Sequence, residues 1–220
     1  MARYAAKFTK QGYIKYISHL DMMRLFERLF KRTGIKLKYS NGFNPHPKIA
    51  FASPLSLGYE SLGEVVEFET VKDYLPSELM KTMNENLAEG IRITAVKGDI
   101  EGKSLASRCV SAEYIAYLPK SDLNQDVISS YLSQPEITAL KKQKKTKKLV
   151  EVDIKDRILG LKGDVIDDKF VMTIKCDMRS NSSLSPELVL QSFISFADPD
   201  IDRNDIEVVR TNIEIDDFSF

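Results

Sequence analysis

The feature that most constrains the fold is an amphipathic helix pattern between two segments with a strand pattern. Ser18 is a suitable N-cap with Asp21 three residues on, and Gly34 supplies a C-terminal stop. Between them, apolar residues at helical spacing form one stripe: Met22, Met23, Phe26, Leu29 and Phe30. Residues 2–17 and 35–39 have the composition of strands, with Gly12 as a turn or bulge in the first.

The pattern continues in the order strand, strand, helix, strand. The segments are an extended stretch at Lys48–Ala52, a strand at Gly63–Thr70, a helix at Pro76–Ala88 and a strand at Ile91–Val96. Together with the first strand and helix they give the order β-α-β-β-α-β. This order is typical of the ferredoxin-like fold.

The second half of the chain repeats the order of elements but not the residues. Residues 98–104 have the composition of a linker. After it we expect a strand at Glu113–Leu118, a helix at Ser121–Ser133, a hairpin at Ile137–Ile154, a strand at Phe170–Asp177, a helix at Ser185–Phe196 and a strand at Ile206–Ile215. The sequence therefore predicts an α+β fold of two tandem ferredoxin-like domains, residues 1–100 and 101–220. One larger α+β domain is the alternative.

Charge is distributed unevenly along a chain whose net charge is zero. Residues 1–50 carry eleven Lys/Arg against two Asp/Glu, and residues 101–150 carry nine against five. Residues 51–100 carry four against nine, and residues 151–220 carry eight against sixteen. This segregation indicates a basic side that suits an anionic ligand and an acidic side that suits a protein. Alternatively, the blocks interleave in space and cancel.

Composition excludes several classes of protein. No apolar run approaches the roughly 20 residues that span a bilayer, and the N-terminus lacks the apolar region of a signal peptide. Cys109 and Cys176 are too few for a disulfide scaffold or a cysteine-held cluster. Phosphate-loop, dinucleotide-binding, kinase and hydrolase signatures are absent from the sequence. We therefore expect a cytoplasmic protein without a membrane span, a metal or a cofactor.

Both histidines lie in the basic N-terminal block, and each has features of a ligand site. His19 is at the start of the helix, where free N–H groups and the helix dipole favour an anion. Arg24 and Arg28 lie one turn apart on one face, where an anion would relieve their repulsion. In the alternative, Asp21 pairs with Arg24 and both arginines stay solvated.

The second histidine is held in a proline-rich loop. Pro45 and Pro47 stiffen the backbone on both sides of His46, so little ordering entropy remains to be lost on binding. Phe43 is either a stacking platform for a base or a plug in the core. The other candidate ligand-binding residues of this region are Ser18, Ser40, Asn41, Asn44 and Lys48.

A lysine arm in the second half is the other basic feature. Six lysines fall within eight residues: Lys141, Lys142, Lys144, Lys145, Lys147 and Lys148. They are candidates for contacts with phosphates. Equally, they are the solvated edge of a hairpin, where lysine discourages strand pairing between molecules.

Catalysis is weakly indicated. His19, His46 and Asp21 are candidates for acid–base chemistry, and Ser18 or Ser40 for a nucleophile, without a supporting motif. A zinc site needs three or four ligands, and these residues supply three only if the loop folds back over the helix start.

Residues 13–64 resemble a bacterial family of radical-S-adenosylmethionine-linked proteins, a domain of unknown function. The resemblance rests on Ser18-His19-Leu20-Asp21, on Arg24, on Tyr39-Ser40 with Gly42-Phe43-Asn44-Pro45-His46-Pro47, and on Pro54-Leu55 with Gly58, Ser61 and Glu64. It implies a partner that is a radical S-adenosylmethionine protein, often with a cobalamin-binding region, fused to members of the family or encoded beside them. It also implies proximity to ribosome and RNA-processing genes. The chain lacks the three-cysteine cluster motif of the radical enzyme itself.

Three hypotheses for function follow. The first is an accessory module that binds RNA or presents a substrate while a radical S-adenosylmethionine enzyme modifies RNA or a ribosomal component. The second is a stand-alone RNA-processing or hydrolytic enzyme that uses His19 and His46. The third is a protein–protein docking subunit. The first requires His19, His46 and Arg24 to converge on one cationic cleft.

Overall fold

Two structural units share the chain in the computed structural model, which describes residues 2–119, 123–143 and 146–220. The first comprises Met1–Cys109 and Asn212–Phe220, and the second comprises Val110–Thr211. The last residues of the chain belong to the first unit, and hydrogen bonds join them to it. Asp216 N donates to the Arg108 carbonyl at 2.9 Å, and Lys97 Nζ donates to the Ser219 carbonyl at 2.6 Å.

The first unit is built on a central strand. Its elements are β1 (Arg3–Lys10), α1 (His19–Thr33), β2 (Ile49–Phe51), β3 (Glu60–Glu69), α2 (Pro76–Asn84) and β4 (Ile91–Lys97). Strand β1 pairs antiparallel with both β3 and β4, and β2 pairs antiparallel with β3. The α+β class predicted from the sequence is confirmed.

Helix α1 lies on this sheet through an aromatic core. Met22, Phe26, Leu29 and Phe30 are buried, as the apolar stripe predicts. The Phe26 ring centroid lies 5.0 Å from that of Phe8 on β1 and 5.4 Å from that of Phe51 on β2. Gly34 ends the helix with a φ of 72°, in the left-handed region that glycine adopts without strain. The packing therefore fixes which face of α1 is exposed.

Three local predictions for the first unit are wrong. Residues 35–39 do not form a strand and make only the isolated bridges Leu37↔Thr70 and Tyr39↔Pro47. The second strand piece of residues 2–17 is a 3-10 helix at Gly12–Tyr16, because Gly12 turns the chain with a φ of 68°. Helix α2 stops at Asn84 rather than at residue 88.

The side chain of Asn84 explains that early end. Its Oδ1 accepts from Ile93 N at 2.8 Å, and its Nδ2 donates to Ile93 O at 2.9 Å. These bonds tie the end of α2 to β4.

The second unit contains a sheet and a separate hairpin. Its elements are β5 (Cys109–Pro119), α3 (Gln125–Ser133), β6 (Thr138–Lys142), β7 (Leu149–Asp153), β8 (Ile158–Ile166), β9 (Lys169–Asp177), α4 (Pro186–Ala197) and β10 (Glu207–Ile215). The first residue of β5 and the last four residues of β10 belong to the first unit. In the sheet the strand order is β10-β5-β9-β8, and β6 pairs with β7 alone as the predicted hairpin.

Strand β8 was not predicted, and α3 begins later than predicted. Glycines weaken the strand pattern of β8, yet Gly163 is required there, since an added Cβ would lie 2.1 Å from the Phe170 ring. The N-cap of α3 is Asn124, whose Oδ1 accepts from Asp126 N at 2.9 Å. Ser121, the predicted start, lies outside the described residues.

Both cysteines are buried. Burial, with the charge of the neighbouring Asp177, raises the pKa of Cys176 to about 12, so its thiol stays protonated. Within the described residues, no helix is both long and apolar enough to cross a membrane.

Asp177 anchors the chain where β9 ends. Its two carboxylate oxygens accept from Arg179 N at 2.8 Å, from Arg179 Nη2 at 2.6 Å and from Ser182 Oγ at 2.8 Å. The hydrogen bond from Arg179 is the main reason why the pKa of Asp177 falls to about 2, from an ordinary value of 3.8. A carboxylate with a lowered pKa stabilises the fold only while it is ionised.

We predict that Asp177→Asn lowers the free energy of unfolding by about 2 kcal/mol at neutral pH, because charge-assisted hydrogen bonds are removed. The folded-state pKa lies below the ordinary value, so the difference from wild type should be constant above pH 4 and shrink as the pH falls from about 4 to about 2. Urea unfolding across this range measures it. Asp156→Asn, on an exposed side chain, is the matched control. An equal loss of stability in both variants would contradict the assignment.

Candidate nucleic-acid interface

A hydrogen-bonded triad organises the first turn of α1. The Ser18 hydroxyl accepts from Asp21 N at 3.2 Å and donates to Asp21 Oδ2 at 2.7 Å. Arg24 Nη1 donates to Asp21 Oδ1 at 3.0 Å. The bond from Ser18, followed by that from Arg24, holds the pKa of Asp21 below its ordinary value. Asp21 is therefore a carboxylate that orients Arg24, as the alternative interpretation expected, and is poorly suited to be a proton donor.

Basic side chains form a row along the exposed face of α1. Arg24, Arg28 and Lys31 recur at intervals of four and three residues, and all three are exposed. We call these residues the cationic stripe. The Arg24 side chain remains 65% exposed despite its bond to Asp21. Both arginines can therefore reach a ligand that lies along the helix.

Two exposed tyrosines, not singled out in the sequence, lie just before α1. Tyr13 is 94% exposed and Tyr16 is 63% exposed in the 3-10 helix, where residues three apart share a face. Lys15 Nζ lies 5.5 Å from the centroid of the Tyr16 ring. Aromatic rings interleaved with lysines in KQGYIKY are the signal that could have identified them.

His19 is exposed at the first position of α1 and lines a small cavity. Its ring centroid lies 5.5 Å from that of Phe51. The cavity beneath it has a volume of about 20 Å³ and is lined in part by the buried residues Lys10, Ser53 and Glu64. Of these three, only Glu64 belongs to the motif that carries the family resemblance. Lys10 and Ser53 have no signal in the sequence that marks them as part of a site.

The proline-rich loop is closed by its own backbone. His46 N donates to Ser40 Oγ at 3.0 Å, and Ser40 N donates to His46 O at 2.8 Å. The side chains of Asn41, Phe43 and Asn44 are exposed, so Phe43 does not plug the core.

Lys48, which follows this loop, is already paired. Its Nζ lies 3.0 Å from Glu69 Oε1, and Glu69 also accepts from Lys38 Nζ at 3.4 Å. Lys48 is therefore less available to a ligand than Arg24 or Arg28.

The two histidines lie at different ends of β2. The five residues from His46 to Phe51 can span up to about 16 Å of extended chain, and the ring of His19 is next to Phe51. Among the described residues, no hydrogen bond or ring contact joins His46 to His19 or to Arg24. The convergence of these groups on one cleft therefore stays a prediction.

A groove connects the base of the loop with the other end of α1. It has a volume of about 510 Å³, and its lining includes Tyr39 and Pro47 from the loop side and Glu27, Lys31 and Gly34 from the helix. Lys31 belongs to both the groove and the cationic stripe. The stripe thus runs between the His19 end and the loop end of α1.

The lysine arm belongs to the second unit. Lys141 and Lys142 are exposed on β6, and Lys147 and Lys148 are exposed before β7. Lys144 and Lys145 lie outside the described residues. In the described part of the chain there is also no group of three His, Cys, Asp or Glu residues that could hold a metal ion.

A family model described as "uncharacterized protein conserved in bacteria" (DUF2344) matches residues 3–186. The chain belongs to the DUF2344 family. The match includes α1, the proline-rich loop and the lysine arm, so all the site residues predicted from the sequence lie within the family domain. No curated protein matches the sequence of this DUF2344 chain.

Two solved structures resemble the DUF2344 chain at 8% sequence identity. One chain of a Cbf5-Nop10-Gar1 complex matches with a TM-score of 0.50. The match covers 96% of the DUF2344 chain and 48% of the chain from the complex. This chain therefore spans about half of that protein, and the likeness concerns the fold alone. A dye-decolorizing protein from V. cholerae matches with a TM-score of 0.22, covering 96% and 91% of the two chains, and this value is too low to carry an argument.

We predict that Ser18→Ala lowers the free energy of unfolding by about 1 kcal/mol, because the N-cap of α1 and the bond to Asp21 are removed. Ser18→Asn, which can still cap the helix, should recover most of this stability. Thermal unfolding of both variants measures the effect. Ser56→Ala, at an exposed position near the start of β3, is the control. Equal stability of Ser18→Ala and wild type would show that the cap is not formed.

Proposed function

We propose that this DUF2344 protein binds single-stranded RNA along α1. The observation that carries the proposal is the cationic stripe of Arg24, Arg28 and Lys31 on α1. The exposed rings of Tyr13 and Tyr16 lie in the 3-10 helix that precedes α1 in the chain. Phosphates neutralised by arginine and bases stacked on tyrosine are the two contacts that single-strand binding requires.

The first turn of α1 supports the electrostatic part of this proposal. Its unpaired N–H groups and the positive end of its dipole favour a phosphate. The Ser18 and Asp21 side chains already occupy part of this turn and hold the Arg24 guanidinium beside it. An oriented guanidinium loses less entropy when it binds a phosphate than a free one.

The proline-rich loop extends the proposed interface to the far end of α1. Phe43 and His46 are exposed on a backbone that is closed at Ser40 and stiffened by Pro45 and Pro47. An exposed aromatic ring on a stiff loop suits a second base. The lysine arm is a further candidate for phosphate contacts, through the exposed Lys141, Lys142, Lys147 and Lys148.

Binding is better supported than catalysis by His19 and His46 as an acid–base pair. The two rings make no contact among the described residues, and the carboxyl of Asp21 is held ionised by its neighbours, which lower its pKa. A proton relay requires groups within hydrogen-bond reach or joined through one water. We therefore favour an accessory role over a stand-alone RNA-processing or hydrolytic enzyme.

The proposed partner is a radical S-adenosylmethionine protein. This part of the proposal rests on the residues that carry the resemblance, among them Ser18-His19-Leu20-Asp21 and Asn44-Pro45-His46-Pro47. In it, the DUF2344 chain holds the RNA or ribosomal substrate in the cytoplasm while the partner carries out the modification. The acidic block at residues 151–220 is a candidate surface for docking that partner.

We also infer that each unit is a ferredoxin-like domain. The element order β1-α1-β2-β3-α2-β4 and the pairing of β1 with β3 and β4 support this for the first unit. In the second unit, the strand order β10-β5-β9-β8 follows the same scheme, with the β6–β7 hairpin inserted after α3.

We predict that the protein binds a single-stranded RNA oligonucleotide with an affinity that falls steeply as salt rises. The double variant Arg24→Gln/Arg28→Gln should bind more weakly and show a shallower slope of log K against log salt, by about 0.7 for each phosphate that the variant no longer neutralises. Fluorescence anisotropy at four salt concentrations gives the slope.

Two controls sharpen this experiment. Lys81→Gln removes one charge from an exposed side chain of α2, outside the interface, and should leave the slope unchanged. Tyr13→Ala/Tyr16→Ala should lower the affinity with little change in slope, because stacking does not release counterions. A wild-type affinity that is independent of salt, or no binding at low salt, would reject the proposed function.

We predict that the protein co-purifies with a co-expressed radical S-adenosylmethionine protein of the kind that the family resemblance implies. Replacing residues 40–47 by a glycine–serine linker should leave co-purification intact and weaken RNA binding, because the loop belongs to the proposed RNA interface. Affinity capture followed by gel filtration measures complex formation. Failure of the two wild-type chains to associate would argue against the partner and leave RNA binding to be judged by the salt titration.

A further inference from the structure

A cluster of buried polar residues lies beneath His19. Lys10 is 4% exposed, Glu64 is 3% exposed and Ser53 is 5% exposed, although lysine and glutamate are rarely buried in proteins. All three line the cavity that His19 also lines. The cavity volume, about 20 Å³, is that of a single water site. The proposed RNA contacts do not explain why Lys10 and Glu64 are buried at this position.

The ammonium group of Lys10 holds the turn that leads into α1. Lys10 Nζ donates to the Lys15 carbonyl at 3.3 Å and to the Ile17 carbonyl at 3.2 Å. Gly58 N donates to the same Lys15 carbonyl at 3.0 Å. Because Ser18 caps the helix directly after Ile17, the bonds of Lys10 fix the backbone from which Ser18 and His19 begin.

Stability alone gives no reason to keep a lysine and a glutamate in this place. Burying two opposite charges costs desolvation energy that their attraction offsets only in part, and apolar residues of similar size are often at least as stable. Lys10 and Glu64 lie on the inner face of neighbouring strands, where apolar residues such as Phe8 and Phe51 surround the cavity. Lys10 Nζ donates directional hydrogen bonds to two carbonyl oxygens, and an apolar side chain could not make these bonds.

We propose that Lys10 and Glu64 are positioning residues of the RNA interface. Lys10 fixes the turn at residues 15–18, Glu64 balances its charge in the cavity, and together they set the orientation of His19 and the start of the cationic stripe. This inference rests on the proposed function for its consequence in binding. The orientation of the His19 ring can be tested without RNA.

The test uses Lys10→Met and the double variant Lys10→Met/Glu64→Gln. Lys10→Met removes a positive charge from the cavity that Glu64 also lines, and it should lower the melting temperature. The double variant removes both charges and should recover most of that stability. Affinity for the RNA oligonucleotide should nevertheless be about tenfold lower than wild type in both variants, a difference of about 1.4 kcal/mol. Lys7→Met, on the opposite face of β1, is the matched control and should retain the wild-type affinity.

A second readout follows His19 directly. The chain contains two histidines, so a His46→Ala background leaves one imidazole signal in a proton–carbon NMR spectrum. The signal of His19 should shift in both Lys10 variants and stay in place in Lys7→Met. A double variant with wild-type affinity and an unshifted signal would overturn the inference. If the wild-type protein binds no RNA, the proposed function fails, and the NMR signal still decides whether Lys10 positions His19.

Discussion

The packing of the α1 aromatic face onto β1 and β2 is the interaction on which the candidate site depends. Phe26 is completely buried between Phe8 and Phe51, which is worth about 2–3 kcal/mol in removed apolar surface. More important, this contact determines the rotation of the helix about its axis. Because the apolar stripe faces the sheet, the basic residues at the remaining positions face outward and form a single row.

The start of α1 combines three arrangements that each reduce the freedom of the candidate ligand-binding groups. Ser18 caps the helix, Asp21 holds the Arg24 guanidinium, and Lys10 bonds the carbonyls of the turn before the cap. Each of these interactions orients the backbone or a neighbouring charged side chain, and none of them requires a ligand. A site arranged in this way loses less entropy when it binds, which is the general advantage of preorganisation. The interface is therefore best understood together with the buried residues beneath it.

Much of the first unit could be predicted from local patterns. The cap at Ser18, the apolar stripe of α1 and the stop at Gly34 are short-range signals, and the helix begins and ends where they indicate. Predictions failed where a contact with another strand decides the outcome. Asn84 ends α2 early because it bonds to Ile93 on β4, and Gly163 lies in strand β8 because Phe170 occupies the space of its side chain. Neither contact can be identified from the periodicity of the sequence, because each depends on how the strand packs in the fold.

The order of the amino acids by itself determined four properties. They are the α+β class, the boundaries of α1, the stiffness of the Pro45–Pro47 loop and the concentration of positive charge in residues 1–50. These properties depend on residues within a few positions of one another, through hydrogen bonds, steric limits and charge. Three other facts required the folded chain: Tyr13 and Tyr16 are exposed, Lys10 and Glu64 line a cavity together with His19, and His46 is not among the residues that line it. They depend on which strands become neighbours, and long-range strand pairing is set by the whole core rather than by any one segment.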